Sequence, residues 1–187
     1  MRASAAYFQF SFDETAVRRA LKALEQSHIP VPAKVRLTLA QSGEIAVTAA
    51  PLAPLARWRL GLAAAPVARD DVFLYHKTTH RAIYQEALAG RPDCDDVLLW
   101  NEDGELTESC IGNIALRIDG QWQTPPISAG LLGGVFRTAL LNSGELVEAR
   151  LMVADLKRAT AIRLVNSVRE RWTPQWVERS ASAGPAD

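Results

Sequence analysis

What this sequence lacks is net charge, cysteine and any long apolar run. Its 21 basic side chains are matched by 21 acidic ones, with no block of like charge, which argues against a nucleic-acid partner recruited by a basic surface. Only two cysteines occur, Cys94 and Cys110, far apart and without metal-type spacing. His28, His76 and His80 fit no zinc pattern either, so no metal site is expected and a reducing, cytoplasmic compartment is the simplest inference. No apolar stretch approaches the length of a membrane span, and Met1-Arg2-Ala3-Ser4 opens no signal-peptide layout, so no membrane partner is expected. What is present is apolar material for a core: 187 residues, 48% of them hydrophobic, enough for one large or two small domains.

In chain order, Asp13 is placed to cap a helix whose apolar positions, Val17, Leu21 and Leu24 beside Ala16 and Ala20, run to about Gln26. Lys34 to Leu39 and Glu44 to Thr48 read as a hairpin about Ser42-Gly43, and Trp58 to Ala65 as a third strand. Pro66 to Asp71 is the expected boundary between a small helix-and-sheet domain, residues 1–69, and a larger, mostly β domain, residues 70–187. The fold class is therefore α/β (α+β). In the second part, Val72 to Tyr75 reads as a strand, Ile83, Ala87 and Leu88 as a helix ending at Gly90, and Val97 to Trp100 as a strand. Ile114, Leu116 and Ile118 alternate up to a turn at Asp119-Gly120. A helix follows Gly133-Gly134, Leu146 to Val153 reads as a strand, Ala154 to Arg158 as a short helix and Ala161 to Val168 as another strand. From Ser180 the chain is expected to fray.

One stretch does not suit a core. Thr107-Glu108-Ser109-Cys110-Ile111-Gly112-Asn113 puts a carboxylate, two hydroxyls, a thiol and an amide between two apolar strands, and polar groups facing a core need partners. Physical reasoning leaves two readings open: a solvated loop, or a buried polar site. Lys77, directly after an apolar run, is open in the same way. Gly133-Gly134 ahead of a helix is either an ordinary turn or an anion site made of free backbone N–H groups.

Four motifs in order carry a resemblance that spacing alone does not supply: Tyr75-His76-Lys77-Thr78-Thr79-His80-Arg81; Trp100-Asn101-Glu102-Asp103-Gly104-Glu105-Leu106-Thr107-Glu108-Ser109; Thr124-Pro125-Pro126 with Gly130-Leu131-Leu132-Gly133-Gly134-Val135-Phe136-Arg137; and Asn166-Ser167-Val168-Arg169. Together they resemble the class-IV (fold type IV) pyridoxal-phosphate enzymes, and within them the aminodeoxychorismate lyases, notably the lyase part of fused para-aminobenzoate synthases. The resemblance implies pyridoxal 5'-phosphate as cofactor. Lys77 would hold its aldehyde covalently and shuttle protons, and Glu108 would face its ring nitrogen. The backbone at Gly134, Val135 and Phe136, with Asn166 and Ser167, would take the phosphate, while Ser109 and Asn113 would support the site. Phe136 departs from the family, which often has threonine there.

The implied activity is lysis of 4-amino-4-deoxychorismate to pyruvate and 4-aminobenzoate, a folate precursor, with a homodimer as the assembly. Two alternatives stand beside it. A branched-chain or D-amino-acid aminotransferase of the same class would use the same lysine and glutamate. In the family a further strand-rich stretch, carrying an arginine for the cofactor phosphate, precedes the equivalent of Ala5-Ala6-Tyr7-Phe8, so an N-terminally truncated, cofactor-free protein, kept for binding or assembly or degenerate, is the other.

Overall fold

The computed structural model describes residues 1–29, 31–55 and 57–178, which leaves the stretch from Ser180 outside the described residues. The chain divides into two compact units, Met1–Leu55 and Ala56–Asp187.

The first unit holds helices α1 (Arg2–Tyr7) and α2 (Glu14–Glu25) and strands β1 (Ala33–Leu39) and β2 (Ile45–Pro51). Asp13 caps α2 as expected, its carboxylate accepting the Thr15 N–H at 2.8 Å. The strands form an antiparallel hairpin with Leu39 opposite Ile45, and Gly43 in the turn adopts a φ of 92° that glycine takes without a Cβ penalty. α2 packs on β2, yet no side chain of this helix is fully buried, and Leu21, expected on its apolar face, is exposed.

The second unit is a nine-stranded sheet with helices packed on it. Its elements are β3 (Arg59–Leu62), α3 (Val72–Tyr75), α4 (Ala82–Ala89), β4 (Asp96–Trp100), β5 (Leu106–Ser109), β6 (Asn113–Ile118), β7 (Gln121–Thr124), α5 (Val135–Asn142), β8 (Val147–Glu148), β9 (Ala161–Asn166), β10 (Glu170–Trp172) and β11 (Gln175–Trp176). The strands run in the order β10-β9-β6-β5-β4-β3-β11, and β7 pairs with both β6 and β8. One face of the sheet buries Leu60, Leu98, Leu106, Ile114, Leu116 and Leu164. Another core gathers Leu74, Tyr84, Val97, Leu99 and the two cysteines beneath α4. A third, smaller one joins α5 to the sheet through Leu140, Ala115 and Val165.

Several expectations are corrected. The third strand belongs to the second unit, because Leu60 pairs in parallel with Asp96 of β4, so the division falls before Ala56 rather than at Pro66 to Asp71. Val72 to Tyr75 is a single helical turn, not a strand: Asp71 caps it by accepting the Phe73 N–H at 2.8 Å. A run of four apolar residues shows no period, so the cap decides. Of Leu146 to Val153 only Val147–Glu148 is a strand. The remainder still runs along β5, with Leu106 N–H donating to Leu151 O at 2.7 Å.

The polar stretch is not a loop. Its first half is β5, in which all four residues are buried. Leu98 pairs with Ser109 and Trp100 with Leu106, so β5 carries one residue more than β4 between those pairs. Such a bulge breaks the strict alternation of faces and re-aims a side chain. It turns Glu108 toward Tyr84 of α4.

Candidate active site

Glu108 is the centre of the site. Its carboxylate is buried and meets donors from α4, from β6 and from the loop before α5. Oε1 accepts the Tyr84 hydroxyl at 2.8 Å and the Leu132 N–H at 3.2 Å, and Oε2 accepts the Asn113 amide at 3.3 Å. Burial pushes its pKa up to about 8, while the bonds from Tyr84 and Leu132 and the charges of Lys77 and Arg81 pull the other way. The structure thus brings Lys77, on the exposed segment between α3 and α4, within electrostatic reach of Glu108. The two motifs are far apart in sequence and meet here.

Asn113 ties Glu108 to the next motif. Its amide nitrogen also donates to Leu132 O at 2.8 Å, and its Oδ1 faces Gly134, where a Cβ would overlap it. Gly134 is the N-cap residue of α5, and no side chain caps that helix. The N–H groups of Val135 and Phe136, in its first turn, have no partner one turn back. The open helix terminus therefore lies beside the amide that braces Glu108. The Phe136 ring is half-buried, with the Arg171 guanidinium carbon 5.2 Å from its centroid.

The last motif arrives through β9, where Val165 stands opposite Asn113 and Ser167 follows two residues on, exposed. Asn166 spends both ends of its amide on the fold: Nδ2 donates to Ile111 O at 3.0 Å, and Oδ1 accepts the N–H groups of Val168 and Arg169 at 2.9 and 2.8 Å. Ser109 is likewise occupied, donating to Gly112 O at 3.0 Å and accepting Gly112 N–H at 3.1 Å. These two side chains shape turns around the site. Gly112 has no room for a Cβ, which would lie 3.0 Å from both Val165 O and the Trp172 ring.

Sequence reasoning missed two participants. Tyr84 holds Glu108, and the Arg81 guanidinium lies 4.3 Å from the Tyr84 ring centroid while donating to Cys110 O. Their three-residue separation at the start of a helix is a readable signal that the two side chains meet; nothing in it points to Glu108.

The residues present suit a pyridoxal-type group: an amine within the field of a buried carboxylate, and an uncapped helix terminus for an anion. Among the described residues no group of histidines, cysteines and acids could hold a metal ion, and no helix is long and apolar enough to cross a membrane.

Comparison with known proteins places these features. The family model for amino-transferase class IV matches residues 1–173. A Schizosaccharomyces pombe protein named "Putative aminodeoxychorismate lyase" is 36% identical over 148 residues, covering 74% of this chain and 64% of that protein; the chain thus spans less than two thirds of that relative. The crystal structure of a "Putative amino-acid aminotransferase" from Mesorhizobium loti superposes with a TM-score of 0.83 at 35% identity, over 94% of this chain and 87% of that one. A hypothetical aminotransferase from Mycobacterium tuberculosis, solved with alpha-ketoglutarate and PMP bound, shares the fold with a TM-score of 0.74 at 20% identity, over 92% of this chain and 71% of that one. With its fold, its motif order and nearly its whole described length matched, the chain belongs to the amino-transferase class IV family of pyridoxal-phosphate enzymes.

Proposed function

We propose that the chain is a pyridoxal-phosphate-dependent lyase that releases pyruvate and 4-aminobenzoate from 4-amino-4-deoxychorismate. The observation that carries the chemistry is Glu108, a buried carboxylate held by Tyr84, Leu132 and Asn113 within the field of Lys77. Lys77 would hold the cofactor's aldehyde end, Glu108 its ring nitrogen, and the N–H groups of Val135 and Phe136 with the Ser167 hydroxyl its phosphate. When bound, the cofactor supplies a ring that draws electrons from the substrate carbon. A carboxylate that is costly to bury alone is favoured once it faces a protonated nitrogen, which is the use to which Glu108 is put. Lys77 would be the base that takes the proton from the amine-bearing carbon of the substrate and delivers one to the departing enolpyruvyl group, which becomes pyruvate. Loss of the side chain as pyruvate leaves an aromatic ring, which drives the step.

Identity of 36% to the Schizosaccharomyces pombe protein supports the lyase. Amino transfer is a second reading, favoured by the likeness to the Mesorhizobium loti structure. Incubation with 4-amino-4-deoxychorismate, without any oxo acid, separates them: release of 4-aminobenzoate and pyruvate supports the lyase. Amino transfer to 2-oxoglutarate with no 4-aminobenzoate formed overturns it. The same reading includes a homodimer in a reducing compartment. Both cysteines are free and buried, and the two-stranded β1-β2 sheet has edges that a second copy would cover. Light scattering across a range of concentrations tests the assembly.

A further inference from the structure

The two oxygens of Glu108 are not equivalent. Oε1 receives two donors, the Tyr84 hydroxyl at 2.8 Å and the Leu132 N–H at 3.2 Å. Among the described residues, Oε2 receives the Asn113 amide, at 3.3 Å, and that nitrogen has its shorter bond, 2.8 Å, to Leu132 O. Each carboxylate oxygen accepts about two hydrogen bonds, so Oε1 is filled and Oε2 retains capacity. Tyr84 is itself buried. Burial and the adjacent Glu108 raise its phenol above the ordinary tyrosine value, which keeps the O–H a donor. Above the ring stands Arg81, its guanidinium carbon 4.3 Å from the centroid and its position fixed by the bond to Cys110 O.

We propose that Tyr84, seated against the Arg81 guanidinium, is the positioning residue for Glu108: by filling Oε1 it holds the carboxylate in one orientation and leaves Oε2 as the oxygen offered to the cofactor's ring nitrogen. This rests on the reading of Glu108 as the ring-nitrogen partner. The arrangement also decides when Glu108 is charged. The titratable groups that act on it are Tyr84 from α4 and Lys77 and Arg81 from the segment leading into α4, beside the Leu132 N–H. Cys110 and Asp96 are joined to them through the turn after β5, where Asp96 accepts the Cys110 N–H at 2.9 Å. Of these, Tyr84 alone gives Glu108 a side-chain hydrogen bond that favours the anion over the acid, and the Arg81 cation adds to it through space.

The test uses the Glu108 carboxyl signal in the ¹³C NMR spectrum of the cofactor-free chain, assigned by its loss in Glu108→Gln. Tyr84→Phe keeps the ring and its contact with Arg81 and removes only the O–H. It is expected to raise the pH midpoint of Glu108 by about one unit, a tenfold change in proton affinity. Arg81→Met, which spares the phenol, is expected to raise the midpoint by a smaller amount and serves as the second variant if Tyr84→Phe fails to fold. In the loaded chain, the pH at which the cofactor's visible band changes should move in the same direction. An unchanged Glu108 midpoint in folded Tyr84→Phe, or in Arg81→Met where that is the variant that folds, in a chain that takes up pyridoxal phosphate overturns the positioning role alone. A shifted midpoint in a chain whose wild type takes up no pyridoxal phosphate overturns the cofactor reading and with it the role given to Oε2.

Discussion

Gly134 has room for hydrogen alone, because the Oδ1 of Asn113 occupies the space that a Cβ would need. The same Asn113 amide donates to Glu108 and to Leu132 O, so a side chain at position 134 displaces the brace of the buried carboxylate. Gly134→Ala is expected to cost about 1–3 kcal/mol, the usual range for overpacking, and to weaken cofactor binding with it. Gly133→Ala is the control. Its Cβ would meet only the flexible end of Ile127, at 3.1 Å, so a loss below about 1 kcal/mol is expected. Chemical denaturation of both variants checks this, and equal losses would contradict the account.

Glu108 should make the cofactor-free chain less stable as pH rises. Its folded pKa of about 8 exceeds its ordinary 4.5 because burial penalises the charge. Between those values the folded chain keeps a proton that the unfolded chain has released. The stabilisation is full below about pH 4.5 and is lost as pH rises through 8, at no more than about 1.4 kcal/mol per pH unit. Glu108→Gln should flatten this fall and melt higher than wild type at pH 8, while losing the cofactor's chemistry. Melting temperatures measured from pH 5 to 8.5 decide it: parallel profiles for the two proteins would show that Glu108 is not the titrating group.

Much of the fold was legible where a local signal is strong. Asp13 ahead of a periodic run marked α2, and Ser42-Gly43 marked the hairpin, because capping and a positive φ are properties of a few adjacent residues. Glu108 and Lys77 are singled out by the resemblance, not by physics. Composition gave no reason to bury an acid at the centre of a strand. The bulge that re-aims Glu108 has no local signature, since it exists only in the register of β5 against β4. The Tyr84–Glu108 bond joins residues 24 apart, and only the packing of α4 on the sheet at β4 decides that they meet. Val72 to Tyr75 was misread because four apolar residues fit a strand and a helical turn equally well.

Lys77→Ala should remove the cofactor's visible absorbance without unfolding the chain. Lys77 is exposed, so its loss leaves no cavity, and surface substitutions cost about 0.5 kcal/mol or less. Removing a positive charge that lowers the proton affinity of Glu108 should also move the Glu108 midpoint upward. Absorbance of the purified variant with added pyridoxal phosphate, alongside its melting temperature, is the measurement. A visible band that survives would assign the covalent attachment to another amine.

Arg137 poses a question of relative magnitudes, because it is a buried cation whose carboxylate partner is not buried. Its side chain is 1% exposed, whereas that of Glu148, which accepts from Nη2 at 2.6 Å, is 46% exposed. The same Nη2 donates to Pro125 O at 2.7 Å, which ties Thr124-Pro125-Pro126 to α5, and among the described residues Nε has no partner. Water screens the ion pair from the half-exposed Glu148 side, which weakens it, while a charged donor to a buried carbonyl contributes about 1.5–3 kcal/mol. Glu148→Ala removes the first and leaves the cation in place, with water able to reach the vacated side. Arg137→Met removes both bonds and also the buried charge, whose desolvation offsets part of the loss. The carbonyl of Pro125 then has no donor, so Arg137→Met is expected to cost more than Glu148→Ala, by about 1 kcal/mol or more. Since Arg137 lies in the first turn of α5, its loss should also slacken the helix terminus and raise the dissociation constant for pyridoxal phosphate, which Glu148→Ala should leave nearly unchanged. Urea denaturation and cofactor titration of the two variants test this. If Glu148→Ala proves the more costly, the ion pair with Glu148 rather than the bond to Pro125 anchors α5.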